Sequence, residues 1–294
     1  MRNIGKYLFA ALLFGLCACS QTEKSIEPIS VLVPQGAPAL ATLSLSSQES
    51  VTVDSVSGSD PLSAELIKND SNYDIIIAPI NLGTKLMEKG NTPYRLAAVI
   101  TWGNLYIVGE ADYHNGDAFA AFGEAAVPGK ILANYADIKN VTYFNSVQDV
   151  QAQLLSNKVK AGLLAEPAAT ATIAKAKEKG KTLTILQDLQ EAKTTDGQSG
   201  YPQAAIFVKD LAKSKAVLAD IEEFVNNGCK DQEQVSAYIE TIGVDQLGIP
   251  NAKIALSTWE RQNLKYVDAK TVQNDIAEFL KLFNITFSED MLIK

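Results

Sequence analysis

The feature that most constrains this chain is a local pattern used several times over: a short apolar run, a loop marked by Gly or Pro, then residues at helical spacing. It is first met at Val31-Leu32-Val33-Pro34-Gln35-Gly36-Ala37-Pro38-Ala39-Leu40. The β-prone residues suit a strand covered on both faces. Pro34 ends it, Gly36 permits a turn or the close approach of a ligand, and Pro38 suits a first helical turn. A helix start leaves N–H groups without partners at the positive end of the dipole. Such a loop either holds a polar or anionic group or is an ordinary connection. The pattern returns at Val51-Thr52-Val53 before Ser57-Gly58-Ser59, and at Asp74-Ile75-Ile76-Ile77-Ala78 before Pro79-Ile80-Asn81. This alternation predicts α/β layers on a largely parallel sheet, with polar loops gathered at the carboxyl ends of the strands, where ligands collect.

Two apolar runs, Arg95 to Trp102 and Leu105 to Val108, are separated only by Gly103-Asn104. No helix fits between them, so the chain is expected to cross there into a second lobe. Strands are predicted over 118–122, 141–144, 160–165 and 182–186, with loops at Gly123-Glu124-Ala125-Ala126 and Glu166-Pro167. Ser146 and Asp149 have the spacing of a capping box. Tyr201-Pro202-Gln203 then leads into Ala204 to Val208, an apolar strand that can return to the first lobe. Beyond it the spacing is helical over 211–225, 232–242, 254–263 and 272–282. The expected domains are 30–103 plus 204–294 for lobe 1 and 104–203 for lobe 2.

The N-terminus reads as a targeting segment. Arg2 and Lys6 precede a run from Tyr7 to Leu16 that is too short for a membrane span. Leu16-Cys17-Ala18-Cys19 resembles a bacterial lipoprotein processing site, which makes residues 1–18 a signal peptide, Cys19 the lipid-bearing residue and 19–29 a tether. Acyl chains such as palmitate on Cys19 would hold the protein on the extracytoplasmic face of the cell membrane. Loss of residues 1–18 would remove two cations and no acid, taking the formal charge from −8 to −10. So acidic a domain is a poor partner for nucleic acid. Only Cys229 would remain beside Cys19, which gives no disulfide framework, and His114 is the sole histidine. Neither a metal site nor a cofactor is expected.

Taken in order, Pro34-Gln35-Gly36-Ala37-Pro38, Asp74 to Asn81, Gly123 to Pro128, Gly162-Leu163-Leu164-Ala165-Glu166-Pro167 and Glu260-Arg261-Gln262-Asn263-Leu264 resemble the type II periplasmic-binding-protein fold. The resemblance is to substrate-binding proteins of ABC importers, in the branch of nitrate, sulfonate and thiamine-precursor binders. It implies two lobes, each a mixed sheet flanked by helices, with two crossing strands as hinge. It also implies a solute in the cleft, a membrane permease as partner, a monomer and lobe closure on binding. Carried over by position, the cleft is lined by Gln35, Gly36, Ala37, Ser57, Gly58, Ser59, Asn81, Trp102, Gly103 and Asn104 from the first lobe and the crossing. Gly123, Glu124, Ala125, Glu166 and Tyr201 come from the second. Glu166 has an alternative role as a cap on the helix after Pro167, and Trp102 as a core aromatic.

These loops contain no Lys or Arg, which favours a neutral or cationic organic solute, such as a heterocycle resting on Trp102 and bonded to Gln35, Asn81 and Glu166. Two other functions use the same fold: a ligand-sensing accessory lipoprotein of a membrane receptor, and an enzyme. No catalytic residue is expected, since only His114 and Cys229 could supply nucleophile or base chemistry.

Overall fold

The computed structural model describes residues 27–190 and 199–294; the expected signal peptide, Cys19 and most of the tether lie outside the described residues. Strands in chain order are β1 (Ile29–Pro34), β2 (Val51–Val56), β3 (Ile75–Pro79), β4 (Arg95–Thr101), β5 (Leu105–Gly109), β6 (Phe119–Phe122), β7 (Val141–Phe144), β8 (Ala161–Ala165), β9 (Thr184–Asp188), β10 (Ala204–Val208) and β11 (Leu264–Asp268). They form a six-stranded sheet of order β11-β4-β10-β3-β1-β2 and a five-stranded sheet of order β7-β6-β8-β5-β9. The chain leaves the first sheet from β4 and re-enters it at β10.

Both sheets are mixed, where the alternation alone predicts a largely parallel one. β1 runs parallel to β2 and β3, and β6 to β7 and β8. In contrast, β10 is antiparallel to β3 and β4, and β5 to β8 and β9. The cause lies in the connections. A helical crossover returns the chain parallel, whereas β4 and β10 carry it through one crossing in opposite directions and lie side by side.

The central strands are covered on both faces, as their composition demands, while the edge strands β2 and β9 leave residues exposed. Along β1, Leu32 faces one core while Ile29, Val31 and Val33 face the other, and along β3 Ile76 and Ala78 alternate with Ile75 and Ile77 in the same way. Each of the Leu, Ile and Val side chains contributes about 1.5–3 kcal/mol when fully buried. The helices that supply this cover are α1 (Ala37–Leu40), α2 (Asp60–Leu66), α3 (Ile80–Glu88), α4 (Val127–Tyr135), α5 (Val147–Leu155), α6 (Ala168–Glu178), α7 (Leu211–Asn226), α8 (Gln232–Ile242), α9 (Val244–Leu247), α10 (Ala252–Ser257) and α11 (Gln273–Lys281). Ser146 and Asp149 form the expected capping box on α5. Among the described residues no helix is long and apolar enough to cross a membrane.

One element departs from the sequence reading. The helix expected over 254–263 stops at Ser257, a short 3-10 turn covers Glu260–Gln262, and Asn263 takes a left-handed φ of 48° before β11 begins. β11 pairs antiparallel with β4 at the edge of the sheet. Leu264 and Tyr266 pack into one core and Val267 into the other, so the segment is held as a strand by what it covers.

Candidate ligand-binding cleft

Strand register brings the Gly- and Pro-marked loops to one edge of each sheet. In the first sheet Leu264 pairs with Thr101, Thr101 with Ala204 and Ala204 with Pro79, forming one row. β1 runs parallel to β3 with Val31 opposite Ile75, which sets Gln35 level with Pro79. Residues 35–37, 57–59, 79–81, 102–104, 201–203 and 261–263 all leave from this edge. In the second sheet Leu105 pairs with Ala165, Tyr106 with Asp188 and Phe122 with Phe144, so residues 123–126 and 166–167 leave from its corresponding edge. The two edges meet at the crossing, where Gly103-Asn104 joins β4 to β5.

Side chains and backbone interlock at that crossing. The Trp102 N–H donates to Asn263 O at 3.0 Å, and Tyr201 N–H donates to Trp102 O at 3.1 Å. Asn263 Nδ2 also donates to Trp102 O, at 2.6 Å. Glu166 N–H donates to Asn104 O at 3.0 Å, while Asn104 Nδ2 returns a bond to Glu166 O at 3.0 Å. Gln203 Nε2 donates to Asn104 Oδ1 at 2.9 Å. Gly103 takes φ +88°, and a Cβ there would stand 2.7 Å from the Tyr201 ring. Only glycine meets both demands.

Glu166 is the charged centre of this region. Its side chain has no exposed surface, and its Oε1 accepts from Arg261 Nε at 2.9 Å. Thr170 completes the set: its hydroxyl donates to Glu166 Oε1 at 2.8 Å, its N–H donates to Oε2 at 3.1 Å, and Arg261 Nη2 donates to Thr170 Oγ1 at 2.8 Å. Glu166 therefore stabilises the first turn of α6, the alternative role foreseen for it, and also anchors an arginine that comes from beside β11. The ion pair joins a residue that follows β8 in the second sheet to one that precedes β11 in the first.

The other expected site residues divide into committed and open positions. Gln35 is committed, since its Nε2 donates to Asp245 O at 3.0 Å and to Gln246 O at 3.3 Å. Gly36 N–H donates to Leu247 O at 2.8 Å, and Ala37 is buried. Trp102 is fully buried, with its Nε1 donating to Lys265 O at 3.1 Å. It is the core aromatic, and neither ring face is open for a stacked heterocycle. Tyr201 is also buried, stacked between Tyr135 at 6.2 Å and Phe279 at 5.8 Å. Burial drives its hydroxyl well above the ordinary tyrosine range. Ser57, Gly58, Ser59, Glu124 and Ala125 are exposed, and Gly123 is half-buried. Asn81, in the first turn of α3, is half-buried with a covered Oδ1 that has no hydrogen-bond partner among the described residues.

Four residues outside the expected set belong to this region: Gln203, Thr170, Arg261 and Asn263. Arg261 overturns the premise that no cation reaches these loops. It stands in a motif that resembles the family, but on a segment read as helix, so nothing local in the sequence directed it to Glu166. Gln203 follows Tyr201-Pro202, already read as the lead into β10, and that position was its one signal.

No protein-family model and no curated protein matches the chain. Its fold does match solved structures. An ABC transporter protein from Parabacteroides distasonis aligns at TM-score 0.74 and 23% identity, covering 87% of this chain and 92% of that one. The ligand-binding component of an ABC-type import system from Staphylococcus aureus, with zinc bound, aligns at 0.65 and 14%, covering 91% and 96%. The periplasmic aliphatic sulphonate binding protein from Escherichia coli aligns at 0.65 and 14%, covering 88% and 87%. The chain has the two-lobed α/β fold of the periplasmic substrate-binding proteins.

Proposed function

We propose that the chain is the extracytoplasmic solute-binding component of an ABC importer, which captures a small organic solute between the facing sheet edges and delivers it to a membrane permease. The observation that carries this reading is the convergence of polar loops from both sheets on a double crossing, bound across by the Arg261–Glu166 pair at 2.9 Å. A solute touching loops of both sheets favours the arrangement in which they face each other closely, which is how binding is converted into a shape a permease can read. The lobes are taken as 30–103 plus 204–294 and 104–203, the chain as a monomer, and Cys19 as its lipid attachment.

A neutral or cationic solute fits best. Arg261 brings a positive charge, but the buried carboxylate of Glu166 matches it, so the pair offers an anion no net attraction. The same tie argues against catalysis. The central acid is bound by three donors, and the one hydroxyl among them, that of Thr170, is itself tied to Arg261.

The test is a thermal-shift screen of the full chain against heterocycles, polyamines, amino acids, sulfonates and nitrate. A solute at about 100 times its Kd adds about 2.7 kcal/mol of stability. Hits should weaken in Asn81→Ala and should reduce the radius of gyration in solution scattering. A screen in which no solute raises the midpoint would overturn the reading.

A further inference from the structure

The hydrogen-bond chain at the crossing has a fixed polarity that can be followed from one end. It begins at the main-chain carbonyl of Glu166, which can only accept. Asn104 must therefore present Nδ2 to it, at 3.0 Å, and so turns Oδ1 the other way. Oδ1 accepts from Gln203 Nε2 at 2.9 Å, which dictates the orientation of that amide in turn. Flipping either amide would set like groups against each other. The chain ends at Gln203 Oε1, which is covered and meets no donor among the described residues. A second such amide lies on the segment paired with its backbone. Ile80 N–H donates to Gln203 O at 3.0 Å, and Oδ1 of the next residue, Asn81, is likewise covered and unpartnered.

We propose that Gln203 is a specificity-determining residue of the solute site, and that its Oε1, with Asn81 alongside, receives an N–H donor of the solute: an amine, amidine or amide. The inference rests on the solute-binding reading above and names the chemistry of its ligand. Glu166 belongs to the second sheet's edge, Asn104 to the first crossing and Gln203 to the second crossing, so one donor seated on Gln203 completes a chain through all three. Without a donor, Oε1 bears the desolvation of a polar group and gains no bond in return. A ligand N–H removes that penalty only while the three segments stay together, and so favours this arrangement over a parted one. A carboxylate or sulfonate brings acceptors alone and sets its negative charge against the negative end of the Gln203 amide dipole.

The experiment compares matched pairs of the same shape and opposite polarity on the full chain: benzamidine with benzoate, and acetamidine with acetate. Selective 15N-glutamine labelling follows the Gln203 side-chain amide directly, a readout that needs no variant to fold. The donor-bearing member of at least one pair should shift that amide resonance and bind about tenfold more tightly than its partner, with the preference lost in Gln203→Met. Equal or tighter binding of the acceptor-only member in both pairs would overturn the inference and leave the solute-binding reading standing. So would a Gln203 amide that no probe moves at millimolar concentration, whatever other solute the thermal-shift screen returns. Failure of the reading itself shows separately, as a screen without any hit.

Discussion

The Glu166 side chain has no exposed surface, while 42% of the Arg261 side chain is exposed, so the two halves of their pair depend on each other unequally. Removing Arg261 strands a buried carboxylate; removing Glu166 leaves a guanidinium that can turn to water. Arg261→Ala should therefore destabilise by about 3–5 kcal/mol, and Glu166→Ala by about 1–3 kcal/mol, measured as urea unfolding. The reverse order would show that the carboxylate is held by Thr170 alone. Tyr201 presents a different imbalance, because its buried hydroxyl makes no hydrogen bond of good geometry among the described residues. Tyr201→Phe should leave stability at pH 8 unchanged or raise it by up to about 1 kcal/mol. At high pH the two forms diverge. Burial holds the folded-state proton of Tyr201 well above the ordinary tyrosine range, whereas the unfolded chain releases it near pH 10. Its stabilising contribution is complete below about pH 10 and is lost as pH rises from there toward the folded-state value, by up to about 1.4 kcal/mol per pH unit. Urea midpoints at pH 8, 10 and 11 should thus fall less steeply for Tyr201→Phe; identical slopes would contradict this account.

At the scale of elements, the two crossing segments are tied by how tightly they pass. A Cβ on Gly200, which has φ +90°, would lie 1.8 Å from the Trp102 carbonyl oxygen. One on Gly58, at φ +78°, would meet nothing within 4 Å. Gly58→Ala should therefore cost only the left-handed strain, about 1–2 kcal/mol, while Gly200→Ala, which must also displace backbone, should cost about 3 kcal/mol or more. Thermal midpoints of the two variants measure the difference. This packing also marks how far the sequence could be read. The first crossing is legible because Gly103-Asn104 leaves no room for a helix, and β1, β3 and β10 because their apolar runs have no other place than a covered sheet. β11 is not legible: Leu264-Lys265-Tyr266-Val267-Asp268 carries two charges and follows Glu260-Arg261, a composition that suits an exposed helix equally well. Its strand form comes from pairing with Thr101 and Val99, residues far away in the chain. Arg261 reaches Glu166 only because β11 is there, and Gln35 is committed only because the turn around α9 returns to β1. Both facts are tertiary, and neither leaves a local trace.

At the scale of the whole molecule, the two sheets share a core. One apolar cluster runs from Leu32, Ile76, Leu96 and Phe207 of the first sheet to Leu105, Ile107, Phe119 and Leu163 of the second, through Trp102 and Tyr201. The link is reinforced by an aromatic stack in which Tyr135 of α4, Tyr201 of the second crossing and Phe279 of α11 lie nearly parallel, with interplanar angles of 15° and 5°. A chain this long would ordinarily be expected to unfold in more than one step. The shared core predicts a single step instead, because neither sheet can lose its packing without exposing surface of the other. Calorimetry should give one transition, with a van't Hoff enthalpy close to the calorimetric one. Phe279→Ala, which removes one end of that stack, should cost about 3–5 kcal/mol and broaden or split that transition. Two separate transitions in the unaltered chain would mean that the stack joins the lobes without coupling them. Under the proposed solute-binding role, two transitions would leave closure free of the core, whereas a single transition places its pivot at the stack, with the facing edges moving about Tyr201.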